Sequence, residues 1–344
     1  MLIELDNSSN KKNLGANAIL AVSLACCRAG AMIENLELYK YIADVYGFTI
    51  AAGGSKNRIP VPMFNIFNGG KHADTNLDIQ ELMIVPFGIK NFSEQVRAGV
   101  EIFYALADVL HKNNLDTDVG NEGGYAPNIH STMQAFDLII KAINKAGYKP
   151  GEQIALATDI GASELYNVSK KLYIFDLDDN YLIADQLISL YRDWANKYPL
   201  FSIEDGLAQD DWENWEGLNK EFLRFKTLVK TQNSTNKTHL MLIVSNDLTV
   251  TNTERLQAAI KRRACNAVIL KPNQIGTLSE AVNFAKMAQE ANLQIITSHR
   301  SGETCDDFIA DLAVAINSDF VKFGSLSRGE RVCKYNRLLE IHEK

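Results

Sequence analysis

The stretch that most constrains this chain is N-A-V-I-L-K-P-N-Q-I-G, residues 266–276. Ala267, Val268, Ile269 and Leu270 form an uninterrupted apolar run. Such a run reads as a strand buried on both faces, because helices covering both sides leave no room for polar alternation. It ends on Lys271, and Pro272 stops the ladder. An ammonium there must meet an anion, give up its proton or reach water, so it is costly unless a site uses it. The pattern recurs in I-A-L-A-T-D ending on Asp159, P-L-F-S-I-E-D on Glu204 and Asp205, L-M-L-I-V-S-N-D on Asn246 and Asp247, L-Q-I-I-T-S-H-R on His299 and Arg300, and D-F-V-K-F-G reaching Lys322. Helical periodicity, as in residues 279–291, separates the runs. Strand, helix, strand at this interval implies parallel strands with right-handed crossovers, an α/β class. Closed into a barrel, the strands bring their carboxyl ends, and these polar groups, to one mouth.

Two earlier apolar stretches, residues 59–67 and 79–86, are joined by only N-G-G-K-H-A-D-T-N-L-D. A connection this short suits an antiparallel pair. Helical stretches at 93–112 and 131–146 follow with no strand between them, so the barrel opens strand, strand, helix, helix and totals eight strands. Ahead of it, residues 14–34 and 38–46 read as helices that must dock on the rest of the chain or on a partner. The composition of residues 51–57 marks a loop, dividing a helical segment 1–57 from a barrel domain 58–344.

The length of 344 residues fits one barrel with an appendage. A net charge of −7 argues against a nucleic-acid surface, and the one tight basic run, Lys261 to Arg263, reads as a solvated helix end. Five cysteines without a CxxC pair suit reduced thiols in the cytoplasm. No signal peptide is visible, and no apolar run approaches the roughly 20 residues of a membrane helix.

Asp159, Glu204 and either Asn246 or Asp247, on successive strands, form a set of oxygen donors suited to a hard cation such as Mg²⁺; the plainer reading is strand-end caps and ion pairs. Lys271 is a candidate general base, or half of a structural salt bridge with the same carboxylates. Lys322 neutralises either a substrate carboxylate or those ligands. In V-G-N-E-G-G-Y-A-P, Glu122 between glycines is a candidate proton donor. Arg300 with Ser301 suits an oxyanion such as phosphate. His111, His130, His239 and His342 read as surface residues, and His72 taken alone would too.

L-G-A-N-A-I-L-A-V-S-L-A, N-G-G-K-H-A-D, D-I-Q-E-L-M-I-V-P, G-N-E-G-G-Y-A-P-N, S-I-E-D-G-L, D-L-T-V-T-N, L-K-P-N-Q-I-G-T-L-S-E, S-H-R-S-G-E-T and S-R-G-E-R-V-C-K-Y-N-R-L-L-E-I, in this order and spacing, resemble the enolases, the phosphopyruvate hydratases. The resemblance runs over nearly all of residues 14–341. It implies the ββαα(βα)6 barrel preceded by a helical remnant of an α+β domain. It also implies a lyase converting 2-phosphoglycerate to phosphoenolpyruvate, with the pairing general to the enolase superfamily itself, a Lys or His base beside one or two Mg²⁺. By the same resemblance Lys271 is the base at C2. Glu122 is the acid at the C3 hydroxyl, supported by His72 and Glu81 and requiring a raised pKa. Asp159, Glu204 and Asn246 are the Mg²⁺ ligands, and Gln80, His299, Arg300, Ser301 and Lys322 meet the small phosphorylated hydroxy acid. A homodimer is common in the family and is left open here.

This sequence departs from the family pattern in several places. It holds only the final helical part of the α+β domain, up to about Val45, and not the portion that carries a lid loop. It has Asn246 where an aspartate is usual, and it differs at Asn121, Pro272 and Phe323 beside active-site positions. These departures keep a second reading in view: a catalytically impaired, enolase-like chain acting as a subunit or scaffold.

Overall fold

In the computed structural model, which describes residues 1–8, 10–50, 52–53, 56–223, 225–230 and 238–344, the apolar runs are strands of one sheet. In chain order they are β1 (Val61–Pro62), β2 (Phe64–Asn68), β3 (Glu81–Val85), β4 (Ala155–Asp159), β5 (Leu200–Glu204), β6 (Leu242–Ser245), β7 (Ala267–Leu270), β8 (Gln294–Ser298) and β9 (Phe320–Lys322). Neighbours run β1-β9-β8-β7-β6-β5-β4-β3-β2. Only Met63 separates β1 from β2, so the two ends of the sheet are one chain segment and the sheet closes on itself. The β2–β3 and β3–β4 pairs are antiparallel, and the others are parallel.

The long helices are α1 (Leu2–Asp6), α2 (Ala16–Ile33), α3 (Leu38–Tyr46), α4 (Phe92–Lys112), α5 (Thr132–Lys145), α6 (Ala184–Lys197), α7 (Trp212–Phe222), α8 (Thr253–Arg262), α9 (Leu278–Glu290), α10 (Phe308–Ala315) and α11 (Gly329–Glu343). Counting β1 with β2 as one strand, the order is ββαα(βα)6, as the connection lengths predict. Helix starts follow from local chemistry: Asn91, Ser131, Asn252 and Thr277 each accept a backbone N–H of the first turn with a side-chain oxygen.

Successive strand residues face opposite sides. Met63, Met83, Val85, Ala155, Ala157, Phe201, Val244, Ile269, Ile296 and Phe320 fill the barrel interior. Their neighbours Leu82, Ile84, Leu156, Ile203, Ile243, Val268 and Leu270 belong to the larger core packed with the helices. Both faces are dry, which is why the strands read as continuous apolar runs.

Three expectations need correction. Between β4 and α6 lies a three-stranded antiparallel sheet, Tyr166–Asn167, Leu172–Phe175 and Asn180–Leu182. Its short, half-exposed strands carry too little pattern to be read from sequence. His342 is not a surface residue: it is partly buried, 6.2 Å from the Phe92 ring. One helix, α2, is long and apolar enough to cross a membrane by length and composition, with a mean hydropathy of 1.6 and 22% of its window buried. Alanine and cysteine raise its hydropathy without giving it bulk. Of the expected loop at 51–57, residues 51, 54 and 55 lie outside the described residues, and Ala52–Gly53 pairs with Lys56–Asn57. The side chain of His239 is likewise outside them.

The N-terminal helices dock on the barrel by burying Leu38, Tyr39, Ile42 and Ala43 of α3 in the core and through polar contacts. Lys11 Nζ lies 2.8 Å from Glu280, Leu278 N–H donates to Ser23 Oγ at 3.1 Å, and Arg28 pairs with Asp306 and Asp307 at 3.1 and 3.2 Å. Buried Asp311 accepts two bonds of 2.8 Å from Arg337 and one of 3.2 Å from the Tyr39 N–H. Removing one partner of such a pair strands a buried charge, at a cost of about 3–5 kcal/mol. Arg337→Met is therefore expected to lower the unfolding free energy by about that amount. Denaturant titration checks this, and a change within ~0.5 kcal/mol would show that Asp311 does not depend on Arg337.

Candidate active site

The β3 strand enters the barrel against the direction of β4, so its first residue sits where β4 ends. Glu81 pairs in register with Asp159, and Asp159 with Glu204. Three carboxylates from three adjacent strands thus form one row at the mouth. The last residue of β9 closes it: Lys322 Nζ is 2.8 Å from Asp159 Oδ2, 2.8 Å from Glu204 Oε2 and 3.3 Å from Glu81 Oε1. All four side chains are almost fully buried. Of the two roles open to Lys322 from sequence, balancing the carboxylates is the one this geometry displays. Burial alone would discharge the ammonium, but Asp159, Glu204, Glu81 and Glu122 hold it well above the usual lysine range. Burial and the nearby Asp159 push Glu204 well above the usual carboxylate range, against Lys322 and Lys271. Asp159 goes the other way: Lys322, His72 and Lys271 outweigh its burial. Lys271 follows β7, and its backbone N–H donates to Thr251 Oγ1 at 2.9 Å.

A second cluster adjoins the first. Glu122 receives His299 Nε2 at 3.1 Å, Asn65 Nδ2 at 3.1 Å and Ser301 Oγ at 3.3 Å, and His72 Nδ1 lies 3.6 Å away. His72 Nε2 contacts Ser301 Oγ at 3.2 Å, and its Nδ1 lies 3.3 Å from Glu81. His72 is not the surface residue it resembles in isolation. Burial opposes its charge, but the bond to Glu81 and the charges of Glu122, Glu81 and Asp159 raise it to about 8. The expectation that Glu122 is held protonated is overturned. Burial would raise it, but His299, His72 and Lys322 outweigh burial and hold it well below the usual range. Near neutral pH the resident proton of this cluster is on His72.

Gln80 stands at the rim, its side chain packed over Gly161. That glycine has φ +59°, and a Cβ there would come within 2.3 Å of the amide. The Arg300 side chain is exposed, and Ser301 is half-buried. Asn246 is buried at the end of β6, its Oδ1 accepting from Gln274 Nε2 at 3.3 Å. Asp205, with φ +44°, turns back to accept the Asn246 N–H at 2.9 Å and the Asp247 N–H at 3.0 Å.

The family description for the enolase C-terminal TIM barrel domain matches residues 56–344, and that for the enolase N-terminal domain matches residues 1–42. The chain belongs to the enolase family. A curated enolase from Natranaerobius thermophilus is 47% identical over 343 residues, which is 100% of this chain and 74% of that enolase. Enolases are carbon-oxygen lyases, the phosphopyruvate hydratases, and the ββαα(βα)6 barrel is the enolase C-terminal architecture.

A divalent cation fits the carboxylate row. Oxygens of Asp159, Glu204 and Asp205 lie within 4.8 Å of one another, and Glu204 Oε1 is buried with no hydrogen-bond partner. A set of hard oxygens with an orphaned lone pair suits Mg²⁺ rather than a thiophilic metal. Sequence reasoning did not single out Asp205, whose carboxylate adjoins the row while accepting the Asn246 and Asp247 N–H groups, an arrangement that depends on a backbone turn. It also passed over Asn65, which reaches Glu122 from inside an apolar strand. The alternating pattern of β2 held that signal, an amide between buried residues.

A histidine whose pKa is raised on folding stabilises the fold fully below its unfolded value of 6.5 and loses that contribution as pH rises through about 8. The shift is worth about 2 kcal/mol. In metal-free buffer, the unfolding free energy of the wild type is expected to fall by about that much more than that of His72→Gln between about pH 6 and pH 9. Parallel pH profiles from denaturant titration would remove His72 as the proton holder.

Proposed function

We propose that this chain is a phosphopyruvate hydratase that interconverts 2-phosphoglycerate and phosphoenolpyruvate. The observation that carries the reading is the meeting, at one barrel mouth, of a buried carboxylate–ammonium row with a proton-holding His72–Glu122–Ser301 cluster. The first suits a carboxylate accumulating negative charge, and the second suits a departing hydroxyl.

Asp159, Glu204 and Asn246 would hold Mg²⁺, which would supply positive charge where the second charge on the substrate carboxylate develops. Lys271, at the end of β7, takes the C2 proton. Glu122 relays the proton held by His72 to the C3 oxygen, which leaves as water. Arg300 and Ser301 receive the phosphate, and Gln80 and His299 line the pocket. The polar mouth and apolar barrel make a small phosphorylated hydroxy acid the partner, with no nucleic acid. The unpaired cysteines fit a cytoplasmic setting, and the chain divides into a helical segment 1–57 and a catalytic barrel 58–344. A homodimer is compatible with this reading.

One observation favours the second reading, an impaired relative acting as a subunit or scaffold: Asn246 brings an amide oxygen, already engaged by Gln274, to a position where a carboxylate would add a charge. The two separate by experiment. Purified protein with Mg²⁺ and 2-phosphoglycerate is expected to form phosphoenolpyruvate, read by ultraviolet absorbance, and Lys271→Ala is expected to reduce turnover by roughly 10²–10⁴-fold. Asn246→Asp is expected to tighten Mg²⁺ binding by at least about 10-fold in calorimetry. Absence of turnover in both the wild type and Asn246→Asp would favour the subunit reading.

A further inference from the structure

Arg331, in the first turn of α11, is 1% exposed, yet among the described residues no carboxylate lies within hydrogen-bond distance of its guanidinium; Glu330 Oε1 is 3.8 Å from Nε. Its Nη donors are spent instead on loop backbone and one imidazole, while the buried Nε makes no hydrogen bond among the described residues. Nη1 donates to the Arg300 carbonyl at 2.7 Å, and Nη2 to the Asn121 and Ser301 carbonyls at 2.9 and 2.6 Å. The remaining contact is Nη1 to His299 Nδ1 at 2.6 Å. A guanidinium has donors only and stays protonated, so the atom facing it must be an acceptor. The His299 Nδ1 is therefore bare and the ring proton is on Nε2, which donates to Glu122 Oε2 at 3.1 Å. Burial, with Arg331 and Lys322 near, pulls His299 down to about 4 against the pull of Glu122, so the ring is neutral and has a single proton to place. The backbone makes room for this contact: Gly324 has φ +87°, and a Cβ there would lie 2.7 Å from Arg331 Cδ and 2.8 Å from His299 Cε1.

We propose that Arg331 is a positioning residue that fixes the tautomer of His299, so that the neutral imidazole always presents its Nε2–H to Glu122. The same guanidinium ties the Glu122 loop, through Asn121, to the loop of Arg300 and Ser301. The carboxylate that relays the proton and the groups that receive the phosphate are thus set by one cation. This deepens the hydratase reading and rests on it for the role of Glu122. A buried cation satisfied by carbonyls is costly, and an apolar side chain would hold α11 in place as well. The imidazole contact is what an apolar side chain would not reproduce.

Nitrogen-15 NMR of histidine-labelled full-length protein tests it, with the His299 signals identified by their loss in His299→Gln. At neutral pH the wild type is expected to show a bare Nδ1 and a protonated Nε2. Arg331→Met is expected to lose that preference and to lower kcat by up to about 10²–10⁴-fold, the size of a general acid-base contribution, with KM little changed. Arg331→Lys, which returns one donor, is expected to restore the tautomer and part of kcat. A proton on Nδ1 in the wild type, or an unchanged Nε2–H signal in folded Arg331→Met, overturns the proposal. If circular dichroism shows that Arg331→Met does not fold, Arg331→Lys decides: retention of the Nε2–H form supports the role and its loss refutes it. The tautomer is read without turnover, so a wild type that forms no phosphoenolpyruvate sinks the hydratase reading while the NMR result stands by itself.

Discussion

The rest of the mouth depends on a buried ammonium among three carboxylates. Four ionisable groups in a dry barrel end are tolerable only when each has a partner at contact distance, and Lys322 supplies that partner to Glu81, Asp159 and Glu204 at once. The contact exists only because β3, β4, β5 and β9 hold one register. A slip of one residue in any of them would turn its charged group toward the helices and an apolar group toward the mouth. The apolar pattern of the strands and the charge balance at their tips therefore enforce the same alignment.

Glu81 joins the two halves of the site. Its Oε1 is 3.3 Å from Lys322 Nζ and 3.3 Å from His72 Nδ1. One carboxylate oxygen is thus shared between the row suited to a cation and the cluster that holds a proton. A charge arriving in the row is felt at His72 through one side chain. The antiparallel entry of β3 makes this possible, because a parallel strand would bring its last residue, Val85, to the mouth instead of Glu81.

Arg331 and Arg337 show two ways in which α11 holds the outer shell. Arg337 pairs with a buried aspartate and fastens α3 and α10. Arg331 binds carbonyls and an imidazole and fastens the loops that reach the mouth. The N-terminal helices are joined to the barrel by such polar contacts and by the buried Leu38, Tyr39, Ile42 and Ala43 of α3. The exposed Val22, Met32 and Ile33 of α2 take no part in them.

The sequence by itself determined the barrel, the antiparallel opening and most of the residues at the mouth. Buried strands must be apolar, so a charge at the end of one stands out, and strand direction follows from the length of the connections. It did not determine which polar group meets which. Glu122 reads as an isolated acid between glycines, and only the fold brings His299, His72 and Lys322 near enough to keep it ionised. Asp205 and Glu204 are adjacent in sequence, and a left-handed backbone turn decides that the first clamps the end of β6 while the second faces the mouth. Arg331 lies in a helix with other charged residues, and nothing in its spacing marks it. Protonation and tautomer are set by distances of a few ångströms between residues up to 241 apart in the chain, Glu81 and Lys322. Those distances come from the closing of the barrel, which no local pattern contains.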